Sequence, residues 1–267
     1  MRVVITGAGS GFGHSLSRRL LARGDEVIAV DREPQGLPPL VELGATAEIV
    51  DVRDGDAVDA LAGRVLAAGP VHAVVNDAGY AVFGSQAEAD LAEVTAMFET
   101  NVLGPARVTR AFLPSLRATA GVVVQLSSIA GRLVLAESGF YAASKHALEA
   151  MSEALYVENL RFGLRVVVVE PGAFATGFSA RAGRHSRPRD PGSPHAPDHA
   201  GWDRARGELV LLDQDPALVV EGIVAAMDGR EGFVRVRVGE DAARWLADRE
   251  QVGDAAWMAQ MAARYRG

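Results

Sequence analysis

The chain has 267 residues, 49% hydrophobic and 23% charged, with 27 Lys+Arg against 34 Asp+Glu and a formal net charge of -7. That is enough apolar residue for one full α/β core, and the acidic balance excludes nucleic acid as the main partner, because no overall basic field attracts phosphates. Cysteine is absent, which excludes disulfides and thiolate chemistry; no apolar run approaches the ~20 residues that span a bilayer, and Met1-Arg2 runs straight into "VVIT" with no room for a signal peptide, so the expected location is the cytoplasm.

In chain order, "RVVIT" (2–6) comes first, β-branched and apolar on both faces, as befits a strand between two helix layers. It runs into "GAGSGFG". Gly7, Gly11 and Gly13 permit a tight turn, let backbone approach a pyrophosphate, and let the helix expected over 14–23 pack close to the strand. A second strand, "EVIAV" (26–30), ends at Asp31, 18 residues after Gly13. An acid there accepts hydrogen bonds from an adenosine ribose and repels a 2′-phosphate, which points to NAD over NADP; the adjacent Arg32 can offset the repulsion. "TAEIV" (46–50) ends beside Asp51, a candidate for the adenine edge or a plain turn residue.

Helical stretches over 56–67, 91–118 and 141–162 alternate with strands "HAVVN" (72–76), "GVVVQLS" (121–127) and "RVVVVEP" (165–171). The alternation predicts one α/β domain over 1–267: a Rossmann-type, doubly wound parallel sheet of about seven strands with helices on both faces. Residues 177–207, rich in Pro, Gly, His and Arg without periodicity, read as a long mobile loop, the core of a substrate-loop region over 177–215. The seventh strand, "FVRVRV" (233–238), puts Val234, Val236 and Val238 on one face and Arg235 and Arg237 on the other, the pattern of a sheet edge.

Of the basic residues, one alone is lysine, and Lys145 stands four residues after Tyr141 in "YAASK". On a helix the two share a face. A free tyrosine titrates near 10, and a fixed ammonium one turn away is expected to lower that value and favour the phenolate. Lysine supplies a compact charge that also reaches a sugar hydroxyl, where arginine's planar fork is broader. Three positions (84, 145, 160) satisfy this spacing, so chance places a lone lysine in one of them about 1% of the time.

At these residues the chain resembles the short-chain dehydrogenases/reductases, over nearly its whole length. "TGAGSGFG" matches the family's TGxxxGxG cofactor turn and "YAASK" its YxxxK signature, which makes Tyr141 the proton donor/acceptor and Lys145 its activator and ribose ligand. Ser128, 13 residues before Tyr141, matches the serine that holds the substrate oxygen, and Asn101 in "ETNVLG" the asparagine that helps position Lys145. "PGAFAT" (171–176) matches PGxxxT, with Thr176 at the nicotinamide carboxamide. By the same resemblance Ser10, Phe12, Val52, Asn76, Ala78, Gly79, Pro171, Gly172 and Phe174 join the expected cofactor contacts. The family's NNAG appears as "NDAG", and Asp77, which has no amide donors, must find donors of its own.

The resemblance implies an NAD(P)-dependent oxidoreductase moving a hydride between NAD(H) and a secondary alcohol or ketone, with a homotetramer or dimer built through 91–118 and 141–162. Ala142, Ala143 and Ala147 would allow close helix contact there. "VNDAGY" and "VVVVEPGAFAT" look most like the 17β-hydroxysteroid/retinol dehydrogenase branch, which suggests a bulky apolar substrate. Alternatives are an NADP(H) ketoreductase for an anionic substrate, met by Arg181, Arg184, Arg187 and Arg189, a non-catalytic nucleotide-binding protein, or a methyltransferase. His185, His195 and His199 lack metal-ligand spacing, and no metal is expected. Trp257, Met261 and Tyr265 form an i,i+4,i+8 stripe that reads as a packing face against the body or a neighbouring subunit.

Overall fold

Valine decides the centre of this protein. In a computed structural model describing residues 1–174, 176–210 and 214–266 (backbone alone at 179–181, 205, 206, 208–210 and 266), seven strands form one parallel sheet. They are β1 (Arg2–Thr6), β2 (Glu26–Asp31), β3 (Thr46–Ile49), β4 (Ala73–Asn76), β5 (Val122–Leu126), β6 (Arg165–Pro171) and β7 (Phe233–Val238), in the order β3-β2-β1-β4-β5-β6-β7. The helices are α1 (Gly11–Ala22), α2 (Pro38–Glu42), α3 (Gly55–Ala67), α4 (Leu91–Phe98), α5 (Gly104–Ala118), α6 (Gly139–Glu158), α7 (Phe178–His185), α8 (His199–Val210), α9 (Ala217–Asp228), α10 (Glu240–Gln251) and α11 (Asp254–Arg266).

The period-two pleat divides the valines between two cores. Val3, Ile5, Val27, Val122, Val124, Val167 and Val169 meet Leu16 and Leu20 of α1 and Val220 and Ile223 of α9. Val4, Ile28, Val30, Val74 and Val123 meet Val58, Leu61 and Val65 of α3 and Val108, Phe112 and Leu116 of α5. Two apolar faces per strand are what a sheet covered by helices on both sides demands. β1 pairs with β2 on one side and β4 on the other, so strand order reverses there and a crevice opens at the carboxyl ends.

Three expectations need correction. The helix expected over 91–118 is interrupted by a π turn at Glu99–Leu103, which carries Asn101. Pro105 has no N–H to donate to the Asn101 carbonyl four residues earlier, so an α-type bond cannot form there. The expected loop over 177–207 contains α7 and much of α8. Neither has a long apolar stripe; tertiary contacts hold them, as is general for short helices. Ala182 is fully buried against the Tyr80 and Tyr141 cluster, and Arg189 pairs with Glu137 and Asp203. The expected region also takes in residues 175 and 211–213, which lie outside the described residues. Finally, Ala142 is buried within the protomer and cannot serve a surface contact, whereas Ala143 is exposed and Ala147 half-buried.

β7 is an edge strand whose valines pack inward while its arginines meet Glu149 and Glu170. The C-terminal stripe packs on the body: Trp257 and Met261 are buried with Trp245, Leu246, Ile129 and Leu133.

Candidate active site

A cleft of about 390 Å³ follows the carboxyl ends of β1, β2, β4, β5 and β6. At one end the β1–α1 turn approaches the backbone after β4. Gly7 has φ +73°, and a Cβ there would stand 2.8 Å from the Ala78 nitrogen, so only glycine fits both conformation and space. Ser10 precedes α1 in extended conformation without a side-chain cap, leaving the first turn of the helix facing the cleft. The Gly13 amide donates to Asp77 Oδ2 at 2.9 Å, which identifies one donor that the departure from NNAG requires.

Asp31 lines the cleft and its carboxylate accepts from the Gly9 amide at 2.9 Å and the Glu33 amide at 3.0 Å. Both bonds orient it while leaving lone pairs for further donors. Arg32 also lines the cleft, 3.6 Å from Glu33. Asp51 is chelated by Arg53, whose hydrogen bond holds the carboxyl below its ordinary range, so any adenine donor must share an occupied group. Ser10, Gly11, Phe12, Val52, Ala78 and Gly79 complete that wall. Asn76 lies behind it, buried, its amide donating to Thr109 and Gln125. Gly13, likewise, is a packing position rather than wall.

At the middle of the cleft stand Ser128, Tyr141 and Lys145. Ser128, two residues beyond β5, is in extended conformation and its Oγ accepts from the Ala130 amide at 3.1 Å. That hydroxyl lies near enough to the Tyr141 phenol to favour its ionised form. Phe83 and Phe178 flank the Tyr141 ring, at 6.0 and 5.7 Å between centres. Burial pushes the phenol up to about 12, opposed by the Ser128 hydroxyl. The expected lowering by Lys145 is therefore not found. Its ammonium donates to the Leu126 carbonyl at 2.7 Å and stands 5.9 Å from the centre of the tyrosine ring. Burial pushes Lys145 itself down to about 8, against the charges of Asp77 and Glu149.

Asn101 works on backbone. Its amide donates to the Tyr80 carbonyl (2.9 Å) and Ser144 Oγ (3.1 Å), and its Oδ1 accepts from the Tyr80 amide (3.1 Å). It thereby ties the segment after β4 to α6 beside Lys145. Pro171, Gly172, Phe174 and Thr176 form the floor, and Phe174 meets Phe12 edge-on at 5.8 Å. Asp241 of α10, which no sequence motif marks, secures this floor by accepting from the Ala173 amide at 2.6 Å. A Cβ on Gly172 would lie 2.0 Å from Asp241 Oδ1.

The far end was the least legible in the sequence. Phe83, Leu133, Leu135, Phe178, Trp202 and Tyr265 converge there from segments scattered along the chain, with Arg184 and His185 beside them. His185 packs on Tyr80 and pairs with Glu93, while His195 and His199 pack on Trp202. Among the described residues no cluster of three or more His, Cys, Asp or Glu is placed to hold a metal. Of the arginine run, Arg187 pairs with Asp90 and Arg189 with Glu137 and Asp203; the Arg181 side chain lies outside the described residues. No described helix is long and apolar enough to cross a membrane.

The family model for short chain dehydrogenases matches residues 1–187. An uncharacterized oxidoreductase of Bacillus subtilis, YusZ, is 36% identical over 182 residues, a match spanning 65% of this chain and 65% of the relative's length. A solved short-chain dehydrogenase from Streptomyces avermitilis is 35% identical with a TM-score of 0.84, covering 98% of this chain and 94% of that one. A short chain dehydrogenase/reductase from Burkholderia phymatum in complex with NAD is 28% identical with a TM-score of 0.77, over 93% and 91%. Other similar structures were solved with NADP-type cofactors.

Proposed function

The chain belongs to the short-chain dehydrogenase family of oxidoreductases, and from that premise we propose that it interconverts a bulky apolar ketone and its secondary alcohol with NAD(H). One observation carries the reading: a buried phenol beside Ser128, with an ammonium one helical turn away, in a cleft with a glycine turn at one end and an aromatic wall at the other.

The cleft fits a dinucleotide. Gly7 and the open first turn of α1 would cradle the pyrophosphate, Asp31 the adenosine ribose, Lys145 the second ribose, and Phe12, Phe174 and Thr176 the nicotinamide. When bound, the cofactor supplies or accepts the hydride. The protein manages the proton. With Tyr141 held near 12, the phenol is a donor at neutral pH and suits carbonyl reduction: it protonates the developing alkoxide while Ser128 donates a hydrogen bond to the same oxygen. Oxidation needs the phenolate, and a charged Lys145 one helical turn away would favour that form. Phe83, Phe178 and Trp202 exclude water around the reacting carbon.

A second reading, NADP(H) use on an anionic substrate, draws on Arg32 beside Asp31 and on Arg184 in the cleft. We also infer a homo-oligomer, in which the exposed Leu103, Val157 and Leu160 near α5 and α6 are covered by a second copy. A nicotinamide-absorbance screen of ketones and secondary alcohols with both cofactors tests the activity. Turnover of cyclic or aryl ketones with NADH is expected; turnover of carboxylated ketones alone, with NADPH, selects the second reading.

A further inference from the structure

Tyr141 and Lys145 are two members of a longer column on α6. One turn further along the same face stands Glu149, 5% exposed, and one turn beyond that Glu153. Glu149 Oε2 takes the Arg235 Nε at 3.1 Å, but Glu149 Oε1 is buried and has no hydrogen-bond partner. Ser127 Oγ is in the same condition. Gly131 lies between them: a Cβ there would come within 2.6 Å of Ser127 Oγ and 3.1 Å of Glu149 Oε1. Ser127 directly follows Leu126, whose carbonyl holds the Lys145 ammonium. A buried carboxylate without full satisfaction is costly, and its retention beside a buried cation calls for a reason.

Arg235 cannot neutralise it alone. That one guanidinium also meets Glu153 and the fully buried Glu170, 3.4 Å away. Glu170 shares Arg132 (3.4 Å) and Arg237 (3.3 Å), and these two arginines in turn meet Glu250. The arginine face of β7 is thus divided among several carboxylates, and Glu149 Oε1 is left without a hydrogen-bond partner one helical turn from Lys145. Toward Lys145 the facing ionisable groups are Asp77 from the turn after β4, and Tyr141 and Glu149 from α6; Asp77 already serves the Gly13 amide.

We propose that Glu149 is a positioning residue: its carboxylate keeps Lys145 charged inside the protein and couples that charge to the arginine face of the edge strand β7. The inference builds on the reading of Lys145 as a working cation.

The lone lysine makes the test direct. Lysine labelled with carbon-13 at Cε places one side-chain resonance in the whole protein, so its pH titration reports Lys145 without cofactor, substrate or turnover. The unmutated protein should titrate near 8. Glu149→Gln should lower the midpoint by about one pH unit, while Glu149→Asp, which keeps the charge, should stay within a few tenths of the original. Glu149→Ala serves in place of the glutamine variant should that fail to fold. An unchanged midpoint without the carboxylate, or equal shifts in the Gln and Asp variants, overturns the proposal. Failure of the enzymatic reading shows separately, as full turnover by Tyr141→Phe.

Discussion

The two ends of the cleft are built on different principles. The end proposed for the dinucleotide is made of backbone: the glycine turn after β1, the strand ends carrying Asp31 and Asp51, and the Pro171–Gly172 floor. The end proposed for the substrate is made of side chains, with Phe83, Phe178, Trp202 and Tyr265 delivered from four separate places between residues 83 and 265. A cofactor common to many reactions suits a fixed backbone frame, while a variable substrate is met by helices that can change without disturbing the sheet. Tyr141, Ser128 and Lys145 lie where the two meet.

If that division holds, substitutions at the two ends should separate cofactor binding from substrate handling, and those at the junction should stop chemistry alone. The largest effect is expected at the junction. Tyr141→Phe removes the transferred proton and should lower kcat by about 10³–10⁴, with NADH affinity, followed by fluorescence, changed by less than about threefold. Next, Gly7→Val forces a β-branched residue to φ +73° with its Cβ 2.8 Å from the Ala78 nitrogen. It should cost about 2–4 kcal/mol of stability in thermal melts and weaken NADH regardless of substrate.

The pH profile of reduction sharpens the same point. Lys145 has its value lowered to about 8, so the ammonium is present below that pH and lost above it; Tyr141, raised to about 12, remains a proton donor throughout. The rate of carbonyl reduction should therefore be flat below pH 7 and fall on the alkaline side with a midpoint near 8 in single-turnover traces. A limb governed by tyrosine near 10 would reverse this assignment.

Asp31→Ala acts only at the backbone end. It should raise the NADP/NAD ratio of kcat/KM by about tenfold, through removal of one charge near the 2′ position, and leave the ketone KM alone. The smallest change is expected from Tyr265→Phe, which removes the hydroxyl that accepts from the Ala136 amide at 2.9 Å. It should cost about 1 kcal/mol at most and shift the ketone KM by a few-fold, with NADH binding untouched.

Much of the dinucleotide end and of the junction is legible in the amino-acid order. Gly7, Asp31, Ser128, Tyr141 and Lys145 lie at strand ends or on one helix, where spacing along the chain translates into position. Asp241 is not, because its partner, the Ala173 amide, is 68 positions away and no local pattern links them. Asn76 and Ala142 mislead for the opposite reason: they neighbour the site in sequence, but the pleat and the helix turn them into the interior. The aperiodic stretch before β7 hides α7 and α8, since Ala182 and Arg189 acquire their partners only from the folded body.

The sequence by itself determined the sheet, its two apolar faces and the residues at its crevice, because those depend on periodicity and on turns a few residues long. Tertiary structure alone decided the charge state of the site. Whether a phenol sits near 12 or below 10, and whether an ammonium faces a tyrosine or a carbonyl, follows from what surrounds each group once water is removed, and those surroundings converge from α6, α7, β5 and β7.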